Sequence, residues 1–343
     1  MKKSKEVTIY DIASALNVSP STVSRALKKH KSIGKETIKK VEKKATQMGY
    51  RPNRVAANLR TQKTNTIGVI VPRVDRPFIS TLISGIESEA KAKGYHVIFT
   101  QSHDKIKLEK ENAKLLFNYR VDGIIVSLAM ETNNYDHFLP FKDKDIPLVF
   151  VDRVTESLDT DLVVIDNTQS AQIATQHLID QGCKRIAHLA GAQHRNVYLN
   201  RRKGYEKALL ENGFIVEKKR IIELKQLSAE EGYQSAKTLL KQNPRPDGIF
   251  TANDTTAVSV IQCAKELGIK IPEELAVVGF NNDPISTIID PALSTINHPA
   301  REMGEIAARQ LLSDKKDSII ESSNIIKLKT ELIQRASSTR IEK

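Results

Sequence analysis

From Thr66 onward, short and nearly uninterrupted apolar runs alternate with segments of helical period. The runs fall at residues 67–71, 97–100, 124–128, 148–151, 163–165, 186–190, 249–252 and 276–280. A strand that is apolar on both faces has to be covered on both faces, and parallel sheets flanked by helices do this. The intervening segments supply the covers; Leu82, Ile83, Ile86 and Ala90, for example, share one helical face. The pattern therefore predicts an α/β body, and its length fits two parallel-sheet lobes with a boundary near Asp166, where a fresh strand–helix series starts. Late in the chain, a helix over residues 299–312 and a final strand over 325–333 suggest crossing back between lobes. The expected division is residues 66–165 with 297–323 in one lobe and 166–296 with 324–336 in the other.

Open parallel sheets bind ligands just beyond the carboxyl ends of their strands. Those positions are polar here almost throughout: Arg73 and Asp75, Gln101 and Ser102, Ser127, Asp152, Gly191-Ala192-Gln193, Asn253-Asp254, and Asn281-Asn282. Any one of them is explained as a helix cap. Seven such ends facing one cleft between two lobes make a polar ligand site the better collective reading.

Charge divides the chain at the same place as periodicity. The chain has 53 Lys and Arg against 41 Asp and Glu, a net of +12. Its first 65 residues hold 16 of the former and 4 of the latter, also a net of +12, so the rest is neutral. A basic head on a neutral body reads as a polyanion-binding module attached to something with another task. The longest apolar runs fall far short of a bilayer span, no secretory leader pattern is present, and Cys183 and Cys263 have no metal-ligand spacing. A cytoplasmic protein with buried free thiols is expected.

Thr8-Ile9-Tyr10-Asp11 has capping-box spacing, and Ile9, Ile12, Ala13 and Leu16 follow on one helical face. After the turn at Asn17-Val18, Ser19 is placed to cap a second helix with Pro20 at its first position. Val23, Ala26 and Leu27 face inward there; Ser21, Thr22 and Arg25 share the opposite face. Two short helices joined this way make a helix-turn-helix, whose second helix offers polar residues to a major groove. A third helix runs from about Lys35 to Met48, with lysines suited to phosphates. Residues 53–60 have helical propensity over only two turns, marginal without a partner. Leu59 beside Arg60 suits an apolar wedge in a minor groove, although a plain linker with one leucine fits these residues as well.

Thr8-Ile9-Tyr10-Asp11-Ile12-Ala13, Val18-Ser19, Thr22-Val23-Ser24-Arg25-Ala26-Leu27 and Gly49-Tyr50-Arg51-Pro52-Asn53 resemble the N-terminus of the lac repressor family of bacterial transcription regulators. Val121-Asp122-Gly123-Ile124-Ile125, Thr251-Ala252-Asn253-Asp254, Val277-Val278-Gly279-Phe280 and Pro291-Ala292-Leu293-Ser294-Thr295-Ile296 extend the resemblance over essentially the whole chain. It implies a helix-turn-helix domain over residues 1–52, a hinge over 53–65 that folds on operator DNA, and a body over 66–343 with the two-lobed fold of periplasmic sugar-binding proteins. By matched position Ser21, Thr22 and Arg25 contact bases. Thr8, Tyr10 and Ser19 join them at the DNA, as do Asn53, Val55, Ala56, Leu59 and Arg60 from the hinge, with Leu59 prying open the central step. Pro20 and Ser21 stand where relatives often carry larger polar residues, so the operator sequence is not transferable.

For the effector, the resemblance points to Asp152, Arg201, Asn253 and Asn281, to Phe78 as an aromatic wall, and to Arg195, which precedes Asn196 as in purine-responsive members. Strand-end position adds Arg73, Gln101 and Ser127. Amides at Asn281-Asn282 replace the usual acids, and Arg76 replaces a common Asn. With Arg195 and Arg201 this suggests an acidic effector, such as a uronate, a sugar phosphate or a purine, besides a neutral sugar.

The family default is repression, no cofactor is expected, and the tail lacks heptad leucines, so a homodimer on a pseudo-palindrome is expected rather than a tetramer. No hydrolase, nucleotide-loop or metalloprotease motif occurs, which argues against an enzyme. A non-specific architectural DNA binder and a small-molecule receptor without a DNA role are the alternatives.

Overall fold

The computed structural model describes residues 7–50, 63–313 and 324–340. The chain separates into two units, residues 1–64 and 65–343. In the first, α1 (Ile9–Leu16) starts at Thr8, whose backbone N–H donates to Asp11 Oδ2 at 2.7 Å while its hydroxyl accepts from Asp11 N at 3.4 Å. This capping box satisfies donors that the first helical turn leaves orphaned. The helix stops at Asn17, at φ 53° in the left-handed region that an asparagine tolerates. Ser19 caps α2 (Pro20–Leu27) by accepting from Thr22 N at 3.1 Å. α3 (Lys35–Gln47) closes the bundle. Ile12, Ala13, Val23, Ala26, Val41 and Ala45 form the small buried core.

The second unit carries twelve described strands in two six-stranded sheets. The first lobe opens with β1 (Thr66–Val71), α4 (Pro77–Ala92), β2 (His96–Gln101), α5 (Ile106–Asn118) and β3 (Ile124–Val126). It continues with α6 (Leu139–Lys142), β4 (Leu148–Val151) and β5 (Asp161–Ile165). The chain then crosses at Asp166, which caps α7 (Asn167–Asp180) by accepting from Gln169 N at 2.9 Å. The second lobe follows with β6 (Ile186–Ala190), α8 (Asn196–Glu211), β7 (Ile221–Glu223) and α9 (Ala229–Leu240). It then adds β8 (Gly248–Thr251), α10 (Asp254–Glu266), β9 (Ala276–Asn281), α11 (Ile285–Ile288) and β10 (Ser294–Asn297). The chain returns to the first lobe at His298-Pro299 with α12 (Ala300–Leu311), then adds β11 (Ile325–Leu328) and β12 (Glu331–Ile333).

The sheet orders are β11-β5-β4-β3-β1-β2 and β12-β10-β9-β8-β6-β7. Every pairing is parallel except β10 with β12, an antiparallel edge. Strand order reverses beside β1 in one sheet and beside β6 in the other, which aims two ligand-binding switch points at one cleft. The α4 and α12 helices cross at bare backbone. A methyl group on Gly85 would strike the carbonyl of Arg301, and one on Gly304 would strike that of Leu82. Glycine at both positions lets the returning helix lie flat on the first lobe.

The single final strand expected over 325–333, and the assignment of residues 324–336 to the second lobe, need correction. The segment is two strands in two lobes: β11 pairs β5 in the first sheet and β12 pairs β10 in the second. The chain crosses at Lys329-Thr330, where the Thr330 hydroxyl meets that of Ser170 at 2.7 Å. Hydropathy does not reveal a crossing made in mid-run. β10 escaped the pattern for a related reason. Its Ser294 and Thr295 are fully buried yet polar, satisfied by the Arg335 N–H and carbonyl and by the Asp254 carboxylate.

Candidate functional site

In the head, the start of α2 gathers hydroxyls. Ser19 Oγ lies 2.7 Å from Ser21 Oγ and 2.8 Å from Thr22 Oγ1. Ser21 and Arg25 are exposed and Thr22 is half-buried. At the start of α1, Thr8 is exposed and Tyr10 is 68% exposed, large for an aromatic in so small a domain. A helix N-terminus with clustered hydroxyls and an exposed guanidinium on the same helix suits both phosphate and base edges. Asn53, Val55, Ala56, Leu59 and Arg60 lie outside the described residues.

In the body, strand ends of both lobes wall a cavity of about 70 Å³, small beside the roughly 300–1,000 Å³ of an open ligand pocket. The lobes are therefore closed on each other. Arg73, Phe78, Asp152, Arg201, Asn253 and Asn281 all line it. Asp152 follows β4 at φ 61°, and Asn281 and Asn282 stand at the end of β9 at φ 113° and 55°. Left-handed backbone at non-glycine residues is disfavoured and tends to gather at ligand sites. Asn253 is a helix cap as well as a wall: its Oδ1 accepts from Thr256 N at 2.9 Å, and its Nδ2 donates to the Leu227 carbonyl at 3.0 Å.

Arg201 is the central cation. It is buried, its Nε donates to Asn167 Oδ1 at 2.9 Å, its Nη1 donates to the Ala252 carbonyl at 2.7 Å, and its carbon lies 3.5 Å above the Phe280 ring. Burial pulls its pKa down to about 10. The Asp152 carboxyl is pushed up by burial, partly offset by Arg153 and Arg201. Burial likewise raises Asp283, to about 6. Beneath the wall, Asp254 accepts from Thr295 Oγ1 at 2.6 Å and from Asp283 N at 2.7 Å, and burial still raises it to about 8.

Three residues expected at the cavity are elsewhere. Gln101 turns its amide back, accepting from Val74 N at 2.8 Å. Ser127 is fully buried, its hydroxyl without a protein partner among the described residues. Arg195 reaches out of the cavity and across the lobes to donate to the Thr132 carbonyl. It works with other bonds between lobes: His194 Nε2 with the Met130 carbonyl at 2.6 Å, Arg153 Nη2 to Tyr198 Oη at 3.0 Å, and Arg76 Nη2 to the Gln226 carbonyl at 3.2 Å. Thr132 is anchored in turn by buried Glu109, which accepts from its hydroxyl at 2.8 Å.

Strand-end reasoning passed over Arg153, Tyr198, Asp283 and His298, all in the wall. Arg153 and Asp283 are near neighbours of Asp152 and Asn281, so widening each strand end by two residues finds them. His298 has no such signal, because it sits on the crossover from β10 to α12. Among the described residues no group of three or more His, Cys, Asp or Glu side chains could hold a metal ion. No described helix is long and apolar enough to cross a membrane.

Residues 8–53 match the bacterial regulatory proteins of the lacI family, and residues 175–338 match the periplasmic binding protein-like domain. The NTD biosynthesis operon regulator NtdR of Bacillus subtilis (strain 168) is 34% identical over 330 residues, covering 96% of this chain and 99% of the relative. This chain belongs to the lacI family of bacterial regulatory proteins. Among solved structures, the lac repressor bound to ONPG in its repressed state superposes with a TM-score of 0.85 at 25% identity, covering 97% of this chain and all of that one. A complex of the transcriptional regulator CelR with cellobiose superposes with a TM-score of 0.72 at 25% identity, covering 97% and 100%. As a lacI-family protein the chain is a transcriptional regulator with an effector-binding domain, and its relatives are regulators, not enzymes.

Proposed function

We propose that this chain represses transcription as a homodimer on a pseudo-palindromic operator, and that a small polar effector held between the lobes sets its affinity for DNA. The observation that carries the reading is one closed cavity, walled by strand ends of both lobes, on the same chain as a helix-turn-helix. Ser21, Thr22 and Arg25 would read bases, with Thr8, Tyr10 and Ser19 holding the backbone. Arg25 suits guanine O6 and N7, a contact worth roughly 1–3 kcal/mol of discrimination. Asp152, Arg201, Asn253 and Asn281 would hold the effector, with Phe78 as an apolar wall. The cavity is nearly full of side chains, so entry of a ligand requires the lobes to part and close again. A coupling of roughly 1–3 kcal/mol would change operator affinity about 5–150-fold.

The full chain tests this in two steps. Selection from random duplexes should yield a palindromic site bound roughly 10³–10⁷ times more tightly than bulk DNA; a ratio near one supports architectural binding instead. A thermal-shift screen of sugars, amino sugars, sugar acids, sugar phosphates and nucleobases should then find a stabilising compound that also alters operator occupancy. A ligand that stabilises the protein without altering occupancy would leave a receptor with no regulatory coupling.

A further inference from the structure

A second cavity, of about 730 Å³, opens elsewhere on the body and shares no lining residue with the closed one. Its volume falls within the roughly 300–1,000 Å³ usual for a small-molecule site. The floor is one face of the first sheet at its β11 edge. In register, Ile325 of β11 lies beside Leu162 of β5, and Lys327 lies beside Val164. Residues two apart on a strand point to one face, so these four side chains form an apolar floor with an ammonium at one end. The facing wall belongs to the second lobe. It is made by the first turn of α7 and by Asn196, Asn200 and Lys207 of α8.

The charged groups of this groove are Lys207, Lys327, Glu156 and Asp166. Asp166 is committed: as the cap of α7 it accepts from Gln169 N at 2.9 Å. Glu156 is the remaining acid, and it is exposed. Lys327 is also exposed and has no hydrogen bond or ion pair among the described residues. Lys207 has one exposed ion pair, with Glu211 at 3.8 Å, too long for a hydrogen bond and of small worth in water. Asn167 is the buried member, 4% exposed. Its Oδ1 accepts from Arg201 Nε at 2.9 Å, while its Nδ2 has no partner among the described residues. A buried donor left unpaired costs about 1–3 kcal/mol, so an acceptor supplied from outside would be favoured there. The first-turn N–H groups of α7, which no helix satisfies internally, add to the donors on that side.

Donors thus exceed free acceptors, and the floor beneath them is apolar. We propose that this groove is a second ligand site, for a small organic carboxylate. Its hydrocarbon or aromatic body would lie on Leu162, Val164 and Ile325. Lys327 and Lys207 would be its counter-charges, and Asn167 Nδ2 would donate to it. Inorganic phosphate or a free sugar leaves the floor in water and gains nothing from it; an ammonium compound meets two like charges. The site does not rest on the effector reading, although the Asn167–Arg201 bond places it directly behind a residue of the effector cavity.

The test uses the full chain at one ionic strength, with titration calorimetry and saturation-transfer NMR. The probes are benzoate, phenylacetate and cyclohexanecarboxylate, the matching amides, benzylammonium, acetate and inorganic phosphate. At least one of the three carboxylates should bind about fivefold or more tightly than its amide, acetate and phosphate, with benzylammonium weakest. Ile325→Glu and Lys327→Glu change exposed side chains of an edge strand, and circular dichroism checks that each variant is folded. Each should lower that affinity about fivefold or more. Binding of the amide or of acetate as tight as the carboxylate overturns the proposal, as does no carboxylate binding at millimolar concentration. Affinity undiminished in both variants places the carboxylate elsewhere and overturns it too. All three results leave the effector reading standing, because that reading is judged by operator occupancy.

Discussion

At the scale of single residues, the body concentrates its electrostatic cost beside the cavity. Asp254 is fully buried where Gly279 has no side chain; a methyl group at 279 would overlap its Oδ1. Its folded pKa of about 8 lies above the unfolded value of 3.8. The native state therefore holds the proton more tightly, and this contribution is complete below pH 3.8 and lost as pH rises toward 8. His188 runs the other way. It is stacked on Phe250 at 4.8 Å with its pKa lowered to about 4, so its penalty appears only as pH falls below about 6.5. Between pH 6.5 and 8, Asp254 is the main titrating group of the three, since burial raises Asp283 only to about 6. Denaturant unfolding should show a loss of roughly 1–2 kcal/mol across that interval, and Asp254→Asn should flatten it. A parent profile already flat there would contradict a buried, protonated Asp254. In the head, Arg25→Ala should relax preference at one base pair per half-site, losing roughly 1–3 kcal/mol of discrimination; an unchanged selection profile would show that Arg25 is not a base reader.

At the scale of elements, caps and crossovers do most of the placing. Thr8 and Ser19 set where α1 and α2 begin, and so which side chains α2 presents. On the proposed function, Leu59 is the wedge at the central operator step. Leu59→Ala should then weaken operator binding by a few kcal/mol, since a wedge acts only at a deformed step, while binding to random duplex stays nearly constant. Equal losses on both DNAs, measured at one salt concentration, would make Leu59 an ordinary packing residue. The α12 helix shows the complementary case. Its register on α4 is fixed by Gly85 and Gly304, and it carries the chain away from His298 at the cavity wall.

At the scale of the molecule, closure of the lobes is a sum of modest polar contacts. Each bond from Arg195, His194, Arg153 and Arg76 adds only about 0.5–1.5 kcal/mol net, or up to about 3 where a charge is involved. A balance of that size can be tipped by a ligand, which is what a switch requires. Arg195→Ala removes a buried guanidinium whose bond runs from one lobe to the other. It should enlarge the radius of gyration of the apo chain in solution scattering and weaken effector binding about 5–100-fold through the smaller closed population. Scattering and affinity both equal to the parent would mean that Arg195 does not hold the lobes together.

Periodicity and local chemistry were enough to set most of the element types, the helix-turn-helix with its caps and the two-lobed body, because they depend on neighbours within a few positions. The places of Asp152, Asn253 and Asn281 beside the cavity were also legible, since a parallel sheet puts its strand ends at one edge whatever the loops do; Arg201, inside α8, was legible only through the family resemblance. Side-chain direction was not. Gln101 and Arg195 stand at the expected ends yet turn toward Val74 N and Thr132, partners 27 and 63 residues away. The split of 325–333 between two sheets, the place of His298 in the cavity wall and the commitment of the cavity's arginines likewise depend on groups far apart in the chain. Tertiary packing alone brings those groups within hydrogen-bond range, and there a few ångströms decide whether a charge is free for a ligand or already spent on the protein.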